Sequence, residues 1–293
     1  MMPRAGIVTV VGKPNVGKST LLNRIVGQKL SITSPKPQST RDRVVGIHTS
    51  SDAQMVILDT PGLLNPAYPL QEAMRSTAVR ALEEADVIVY LADSTEGVPP
   101  PLVDAAGLER QPRARVILAL NKSDALHPIR RAELAVLENA VLVSALTGDG
   151  IPELMESVVK HLPESPFLYP EDEISTQPVR FFVAELVRET VLEQLHDEVP
   201  DSVAVQIEEY REDRSPLYIR AVIYVERDSQ KAIIIGSKGA QIRRLGEAAR
   251  KKIETFTGDR VYLDLWVKVL ANWRKNPGSL SRFGYQLETG KRK

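Results

Sequence analysis

Short apolar runs alternate with helical patterns in the first half of the chain. Most of the runs are β-branched and continuous, which is typical of parallel strands covered on both faces. They lie at Ile7–Val11, Met55–Leu58, Val87–Leu91, Val116–Leu120 and Val141–Val143. Helical periodicity separates several of them, for example over Leu70–Glu84 and Ile151–His161. The alternation predicts an α/β fold with a doubly wound sheet, in which ligands bind outside the carboxyl ends of the strands.

The second half has a different order of elements. A helical pattern comes first, followed by two strand patterns, a short apolar segment, a glycine-flanked loop, a helix and an alternating strand. These segments cover Val179–Leu195, Val203–Glu209, Leu217–Glu226, Ala232–Ile235, Ala240–Phe256 and Val261–Val269. The order predicts a separate α+β domain.

A proline-rich, acidic stretch lies between the two halves. Its prolines are Pro163, Pro166, Pro170 and Pro178, and it includes the sequence PEDEIS. Proline fixes φ and removes a hydrogen-bond donor, so this stretch predicts an extended connection. We therefore expect one domain over residues 1–165, a linker over 166–178 and a second domain over 179–293.

Charge is distributed unevenly along the chain. The formal net charge is +0, yet the residues from Lys231 onward comprise fifteen basic and five acidic side chains, a net charge of +10. A basic C-terminal end favours a polyanionic partner, with a solvated basic surface as the alternative.

Targeting signals and membrane spans are not predicted. Cysteine is absent, no apolar run reaches the length of a membrane helix, and a strand pattern begins near Ala5. We expect a cytoplasmic monomer, and peripheral attachment to the inner face of the membrane stays open.

A glycine-rich loop follows the first predicted strand and precedes a helical pattern. Its pattern, G-x-x-x-x-G-K-S, is that of a phosphate-binding loop, in which backbone N–H groups curl around a phosphate at a helix N-terminus. Lys18 can reach the β- and γ-phosphates, which makes it a candidate catalytic residue, and the Ser19 hydroxyl can bind Mg²⁺. The predicted nucleotide contacts here are Gly12, Lys13, Pro14, Asn15, Val16, Gly17, Lys18, Ser19 and Thr20.

Two more segments supply groups near the terminal phosphate. The sequence Asp59-Thr60-Pro61-Gly62 ends the strand over Met55–Leu58. A carboxylate at this end of the sheet suits Mg²⁺, and the Gly62 N–H can sense the γ-phosphate. The polar, proline-broken segment over residues 34–43 predicts a switch loop, with Thr40 as its Mg²⁺-binding threonine. An ordinary turn at residues 59–62 and an ordinary loop threonine at Thr40 are the alternatives.

Base recognition is predicted at the ends of two later strands. Asn121-Lys122-Ser123-Asp124 is similar to the guanine-specific N-K-x-D element of GTPases. The Asp124 carboxylate can accept hydrogen bonds from the guanine ring N–H and exocyclic amine. Adenine does not offer this pair of donors, and a buried carboxylate left unpaired is costly. An ATPase, the third interpretation, conflicts with Asp124. The sequence Ser144-Ala145-Leu146 resembles the loop whose backbone contacts the guanine oxygen.

The second half contains a G-x-x-G loop, Gly236-Ser237-Lys238-Gly239, of the kind that lets a nucleic-acid backbone approach in KH domains. The next helix places Arg243, Arg244, Arg250 and Lys251 outside its apolar stripe, where they can meet phosphates. Tyr262 and Trp266 share one face of the last strand. We favour core packing for both, with stacking on bases as the alternative. The tail after Val269, including Trp273, is expected either to extend the RNA surface or to be flexible.

Taken together, these segments resemble the bacterial Era GTPases over nearly the whole chain. The matching stretches are GKPNVGKS, SITSPKPQSTRDRVVGIHT, DTPGL, NKSD, SAL, IIGSKGAQIRRLGEAARKKIE and VYLDLWVKV. The resemblance implies a Ras-like GTPase domain that binds GTP, GDP and Mg²⁺, followed by a KH domain that binds RNA. It also implies a role in small ribosomal subunit assembly, through binding near the 3′ end of the small-subunit ribosomal RNA. One departure is the short spacing between Asp124 and Ser144, where residues 130–137 are expected to form a stunted helix.

The resemblance also bears on hydrolysis. Leu63 occupies the position at which Ras-type GTPases have a water-orienting glutamine, and leucine cannot orient water. Asn15 matches the position at which related GTPases coordinate K⁺, with a plain turn residue as the alternative. We expect slow hydrolysis, raised by RNA, that relies on Lys18, Mg²⁺ and backbone N–H groups such as that of Gly62. The alternative is an RNA-binding assembly factor for which the nucleotide is only a structural ligand.

Overall fold

The first apolar run forms the central strand of a six-stranded sheet. The structure, a computed structural model, describes residues 2–36, 38–137, 139–195 and 199–287. Within them the strand order is β2-β3-β1-β4-β5-β6, with only the β2–β3 pair antiparallel. The strands are β1 (Arg4–Val11), β2 (Val44–Thr49), β3 (Ala53–Asp59), β4 (Val87–Asp93), β5 (Arg115–Asn121) and β6 (Ala140–Leu142). The helices along the same part of the chain are α1 (Lys18–Val26), α2 (Pro69–Glu84), α3 (Leu102–Ala106), α4 (Pro128–Ala135) and α5 (Ile151–His161). The predicted doubly wound α/β sheet and the stunted helix are confirmed.

Strand β2 is the element of this sheet that the hydrophobic pattern did not predict. Its sequence, VVGIHT, is interrupted by Gly46. Helix α1 explains that glycine, because a Cβ atom at this position would lie 2.6 Å from Leu22 Cδ1 and 2.7 Å from Val26 Cγ2. The interruption in the apolar run is therefore a requirement of helix–sheet packing.

The proline-rich stretch hydrogen-bonds to the first sheet. Ile47 N donates to Ile174 O (2.8 Å), and Ser175 Oγ donates to Val45 O (2.5 Å). The buried Gln54 side chain binds the backbone of Tyr169 at both of its polar atoms. By its contacts the chain forms two compact units, one of residues 1–67 and 71–176 and the other of residues 68–70 and 177–293, so this stretch groups with the first.

The second unit contains a three-stranded sheet, over its described residues, in the order β7-β8-β9. Strand β8 pairs antiparallel with β7 and parallel with β9, and helices α6 and α9 contact the sheet. The elements are α6 (Val179–Gln194), α7 (Val199–Ser202), β7 (Ala204–Arg211), β8 (Leu217–Val225), α8 (Asp228–Ile235), α9 (Ala240–Thr257), β9 (Val261–Val269) and α10 (Pro277–Arg282). The predicted α+β order is confirmed, and the short apolar segment is the end of helix α8.

Trp273 corrects one expectation about the C-terminal residues. It is fully buried, and its indole nitrogen donates to Ser202 O at 2.7 Å. The rings of Phe283 and Tyr285 pack around it at 5.2 and 6.4 Å. Trp273 is therefore part of the domain core, with Phe283 and Tyr285 packed against it, and the expectation that Trp273 extends an RNA surface or lies in a flexible tail is wrong.

Within the described residues, none of the helices is long and apolar enough to cross a lipid bilayer.

Candidate functional site

The phosphate-binding loop is held in its turn by backbone geometry. It joins β1 to α1, and Asn15 and Gly17 adopt positive φ angles of 62° and 100°. A side chain at Gly17 would collide with the Asn121 amide, whose nitrogen would lie 2.3 Å from its Cβ atom. A Cβ atom at Gly12 would lie 2.1 Å from Leu91 O. Both glycines are therefore required by the close approach of neighbouring segments as well as by the turn.

Lys18 lies inside this loop. Its ammonium group donates to Gly12 O (3.2 Å) and Lys13 O (2.9 Å), and its side chain is buried. Burial lowers the pKa of Lys18 to about 8, and the negative charge of Asp59 opposes that shift. The loop thus holds a poorly solvated cation, which the negative charge of a bound phosphate would stabilise.

Ser19, Thr40 and Asp59 come together beside the loop, as predicted for a Mg²⁺ site. The Ser19 hydroxyl donates to Asp59 Oδ2 at 2.7 Å, and the Ser19 and Thr40 hydroxyl oxygens are 2.9 Å apart. Ser31, which sequence analysis missed, also donates to Asp59 Oδ2 at 2.7 Å.

The second carboxylate oxygen of Asp59 adds a donor atom that suits a cation. Asp59 Oδ1 is buried and has no hydrogen-bond partner among the described residues. Burial raises the pKa of Asp59, while Lys18 and the hydroxyls of Ser19 and Ser31 oppose that rise. Two hydroxyls and a buried carboxylate oxygen suit a hard cation that keeps waters and phosphate oxygens as its other ligands. The described residues contain no cluster of three or more His, Cys, Asp or Glu side chains that could hold a metal by itself.

A cavity of about 130 Å³ opens next to these groups. Its lining includes Pro14, Asn15, Gly17, Lys18, Ser19, Thr20, Thr40 and Gly62. The Asn15 amide nitrogen donates to Pro35 O at 2.8 Å, which ties the loop to the predicted switch segment. Lys13 lies outside this lining and forms an exposed 3.0 Å ion pair with Glu96. Pro37, within the switch segment, lies outside the described residues.

The D-T-P-G segment packs directly against the loop. A Cβ atom at Gly62 would lie 2.7 Å from Pro14 N, and Leu63 N donates to Gly12 O at 2.9 Å. The Leu63 side chain is buried in the apolar core with Val11. The Leu63 side chain therefore cannot position water, as expected of a side chain that has no hydrogen-bonding group. Thr60, Pro61 and Val16 are also buried, and Thr60 Oγ1 donates to Val10 O.

Asn121 connects the predicted base-binding segments to the phosphate loop. Its amide nitrogen donates to Val16 O (2.7 Å), and its amide oxygen accepts from Ala145 N (2.8 Å). Lys122 has a positive φ of 65° and forms a 2.6 Å ion pair with Asp93. Burial raises the pKa of Asp93, but hydrogen bonds from Lys122 and Thr95 outweigh it and lower that pKa. Sequence analysis missed Asp93, although it lies at the end of β4 like the other site residues.

Asp124 follows strand β5 and is exposed. Its carboxylate oxygen Oδ1 accepts a 2.5 Å hydrogen bond from the hydroxyl of the buried Ser144. In the neighbouring S-A-L segment, Ala145 is buried and Leu146 is 68% exposed. The structure thus brings Asp124 and the S-A-L segment together at one end of the sheet.

The second unit has a groove between α9 and β9. It has a volume of about 630 Å³, and its lining includes Lys238, Gly239, Ile242, Arg243, Arg250 and Tyr262. Gly236 and Gly239 adopt positive φ angles of 70° and 76°, and the exposed Ser237 and Lys238 lie between them. A side chain at Gly236 would collide with Gln241, so this turn requires glycine.

The predicted RNA-contacting cations divide into two groups. Lys238, Arg243 and Arg250 line the groove, and Arg250 forms a 3.1 Å ion pair with Glu254. Arg244 donates to Gln241 outside this lining, and Lys251 is exposed elsewhere on the helix. The apolar stripe of α9, with Leu245, Ala249 and Ile253 buried, is confirmed.

Tyr262 and Trp266 are not core residues. They are 59% and 52% exposed, on the face of β9 opposite Val261 and Val267. The interpretation that favoured core packing is wrong, because the helices cover the other face of the sheet.

The matches to protein families divide the chain into the same two parts as the fold. Residues 7–122 match the family described as 50S ribosome-binding GTPase, and residues 198–274 match the KH domain family. GTPase Era of Carboxydothermus hydrogenoformans is 40% identical over an alignment of 294 residues that covers 97% of this chain and 99% of that protein. GTPase Era of Thermosipho melanesiensis is 44% identical over 280 residues, with 92% and 94% covered.

Two solved structures are similar over the same length. A variant of Aquifex aeolicus Era bound to GDP·AlF4− superposes with a TM-score of 0.89 at 40% identity, covering 97% of this chain and all of that one. Era in complex with MgGDPNP and nucleotides 1506–1542 of 16S ribosomal RNA superposes with a TM-score of 0.91 at the same identity and coverage. The sequence, the order of the site motifs and the full-length superposition agree, and the chain belongs to the Era family of GTPases.

Proposed function

We propose that this chain binds and hydrolyses GTP in its first domain and binds the 3′ end of the small-subunit ribosomal RNA in its KH domain. It would thereby act on the small ribosomal subunit during assembly and maturation of the 16S RNA. The observation that carries the proposal is the full-length similarity to an Era structure that contains both MgGDPNP and nucleotides 1506–1542 of 16S ribosomal RNA. The two proposed domains cover residues 1–165 and 179–293, and the connection between them groups with the first domain up to residue 176.

Hydrolysis rests on positioned charge. Lys18 would supply a buried cation to the β- and γ-phosphates, and Gly62, which lines the same cavity, would donate its N–H to the γ-phosphate. Ser19, Thr40 and Asp59 would hold Mg²⁺, which neutralises charge on the phosphate oxygens. Because the Leu63 side chain is buried in the core, the attacking water must be oriented by backbone groups or by a bound partner. We therefore expect slow GTP hydrolysis that bound RNA accelerates.

Guanine specificity is assigned to Asp124. Its carboxylate is fixed by the Ser144 hydroxyl and can accept from the ring N–H and the exocyclic amine of guanine. Asn121 and Lys122 act by holding segments in place, because their polar atoms already bind Val16, Ala145 and Asp93.

K⁺ is a further proposed cofactor, bound by Asn15. The amide nitrogen of Asn15 donates to Pro35 O, which leaves the amide oxygen as the atom for a cation beside the phosphates. Turnover is expected to be faster in K⁺ than in Na⁺ at equal ionic strength, and Asn15→Ala is expected to remove the difference. Equal rates in both salts would exclude K⁺ from hydrolysis.

The experiment that tests the proposed function is multiple-turnover phosphate release, with and without a single-stranded RNA that carries the 3′ end of the 16S sequence. A switch enzyme shows turnover that rises with RNA. The second candidate function, an RNA-binding factor with a structural nucleotide, is favoured by the buried Leu63 and predicts tight GTP binding without turnover. Lys18→Ala is the inactive control.

A further inference from the structure

We propose that the outer face of β9 is a second RNA-binding surface, on which Tyr262 and Trp266 each stack against an unpaired base of the strand leaving the groove. We call these two side chains the stacking pair. The inference rests on the proposed RNA binding in the groove and extends it to a site beyond the G-x-x-G loop and helix α9.

The stacking pair lies on an edge strand. Strand β9 has one neighbour, β8, and Tyr262 and Trp266 are opposite Tyr218 and Val222 in the register. Because strand side chains alternate, both rings project from the face that helices α6 and α9 leave uncovered. Their 59% and 52% exposure is unusual for large aromatic side chains and indicates a contact surface.

The stacking pair is continuous with the groove. Tyr262 itself lines the groove together with Lys238 and Arg243, so a strand that crosses the edge of β9 meets Tyr262 first. Trp266 lies four residues farther along, about 13 Å at the rise of a strand. One base cannot touch both rings at that distance, so the pair would bind two separate bases.

The Tyr262 ring packs against the ring of Tyr218 on the neighbouring strand. It stacks on the Tyr218 ring with centroids 5.8 Å apart and an interplanar angle of 12°. Tyr218 is fixed in turn, because its hydroxyl donates to Asp264 (3.0 Å) and accepts from Arg220 (2.7 Å). A ring already held in place loses little freedom when a base stacks on it, which favours binding.

The charges around the stacking pair are compatible with a polyanion. The one carboxylate between the two rings, Asp264, forms a 2.9 Å ion pair with Arg220 Nε. The other acids on this face are also paired, Glu209 with Arg220 and Glu208 with Lys268. The Arg211 guanidinium lies 5.4 Å from the Tyr218 ring. Base stacking is tolerant of sequence and needs a ring face and nearby cations, both of which are present. Continuity with a basic groove therefore favours RNA over a protein as the occupant.

The test compares short and extended RNAs on the full-length protein. A four-nucleotide RNA matches the length that a KH groove holds, and two eight-nucleotide RNAs extend it on the 5′ or the 3′ side. Stacking contributes about 1–3 kcal/mol per base, so one extension should tighten binding at least about fivefold. Trp266→Ala changes a residue outside the groove lining, so it should lose part of that gain and keep its affinity for the four-nucleotide RNA. Adding Tyr262→Ala should remove the rest of the gain, measured as the ratio of extended-RNA to four-nucleotide affinity. Tyr262→Phe/Trp266→Phe should keep both the gain and the four-nucleotide affinity, and Tyr169→Ala, an exposed aromatic in the other unit, is the matched control.

Trp266 provides a direct readout. The chain has two tryptophans, and Trp273 is buried, so the emission lost in Trp266→Phe is that of Trp266. The extended RNA should quench that emission, and the four-nucleotide RNA should not. Extension that tightens wild type and Trp266→Ala equally, without quenching, overturns the proposal and leaves the surface for a protein partner. If wild type binds none of the RNAs, the groove assignment and the stacking pair both fall.

Discussion

The Ser31 hydroxyl donates to the same oxygen of Asp59 that accepts from Ser19, each at 2.7 Å. Ser31 is buried, and the Asn23 amide fixes its backbone by accepting from Ser31 N and donating to Ser31 O. The two hydroxyls occupy Oδ2, and Oδ1 lacks a hydrogen-bond partner among the described residues. Ser31 therefore acts as a positioning residue for the predicted Mg²⁺ ligand.

We predict that Ser31→Ala weakens the effect of Mg²⁺ on nucleotide binding. A hydrogen bond to a charged group contributes about 1.5–3 kcal/mol, so the Mg²⁺ concentration that half-slows GDP release should rise about tenfold or more. GDP release without Mg²⁺ should stay near wild type, because the hydrogen bonds of Ser31 among the described residues go to Asn23 and Asp59 and not to the phosphate loop. Release of a fluorescent GDP across a Mg²⁺ titration measures this. Ser31→Thr keeps the hydroxyl and should restore the wild-type response, and an unchanged midpoint in Ser31→Ala would reject the role.

The lowered pKa of Lys18 predicts proton uptake on nucleotide binding. In the free protein its pKa is about 8, and a bound phosphate favours the charged form and raises that pKa. At about pH 7 Lys18 is mostly protonated already, so uptake should be small, whereas at about pH 8.5 it should reach about three quarters of a proton. GDP affinity should fall correspondingly as the pH rises above 8. Calorimetric titrations in two buffers of different ionisation heat measure the uptake.

Lys18→Arg is the control for this prediction, because arginine stays charged throughout the range and any uptake from the base or the phosphates remains visible. Uptake of the same size in Lys18→Arg and wild type would show that Lys18 is not its source.

Asp124→Asn should change the base preference. Asparagine cannot accept from both guanine donors, so GTP affinity should fall about tenfold or more. Xanthosine triphosphate carries an oxygen in place of the exocyclic amine and should bind better to the variant than to wild type. Competition against a fluorescent GDP measures both affinities. Ser144→Ala removes only the hydroxyl that holds Asp124 and should lower GTP affinity by a smaller factor. Wild-type GTP affinity in Asp124→Asn would remove Asp124 from base recognition.

Replacing Ser237 and Lys238 with aspartates should separate the two domains functionally. Both glycines of the turn remain, and both replaced side chains are exposed, so the fold should persist. The change adds two negative charges and removes one positive charge beside the RNA phosphates, and RNA binding and any RNA-stimulated hydrolysis should be lost. Each lost phosphate contact should lower the slope of affinity against salt by about one. GTP affinity should stay near wild type, and its loss would contradict the independence of the nucleotide site.

The two tryptophans should differ sharply in their effect on stability. Trp273→Ala removes a fully buried ring and its hydrogen bond to Ser202 O, and should lower the free energy of unfolding by about 3–5 kcal/mol. Trp266→Ala, on the exposed face, should lower it by less than about 1 kcal/mol. Hydrogen exchange at the amides of strand β8 reports on this domain alone. Equal losses in the two variants would contradict the assignment of Trp273 to the core.

Periodicity predicted the regular elements because it is a local property. Strand β9 has the bounds that its alternation predicts, Val261–Val269. Alternation cannot say which face a helix covers, and for this reason Tyr262 and Trp266 were assigned to the core. Burial of Trp273 depends on Ser202, 71 residues earlier, and no local pattern contains that contact.

The candidate site shows the same limit. Residues in recognised motifs, such as Lys18 and Asp59, could be identified from order and spacing. Ser31 belongs to no recognised motif. It lies 28 residues before Asp59 in the sequence, and the two side chains meet only in the folded protein. Likewise, Asn121 binds Val16 across 105 residues, so its part in holding the phosphate loop becomes visible only in three dimensions.

The hydrogen bonds of Ile174 and Ser175 to strand β2 have a practical consequence for handling the GTPase domain in isolation. Strand β2 is the outermost strand of its sheet, and its Ile47 N–H and Val45 C=O are covered by those two residues. An uncovered strand edge is a template for pairing with other chains. A fragment that ends at residue 165 would expose this edge and should self-associate on concentration. A fragment that ends at residue 176 keeps the edge covered and should stay monodisperse.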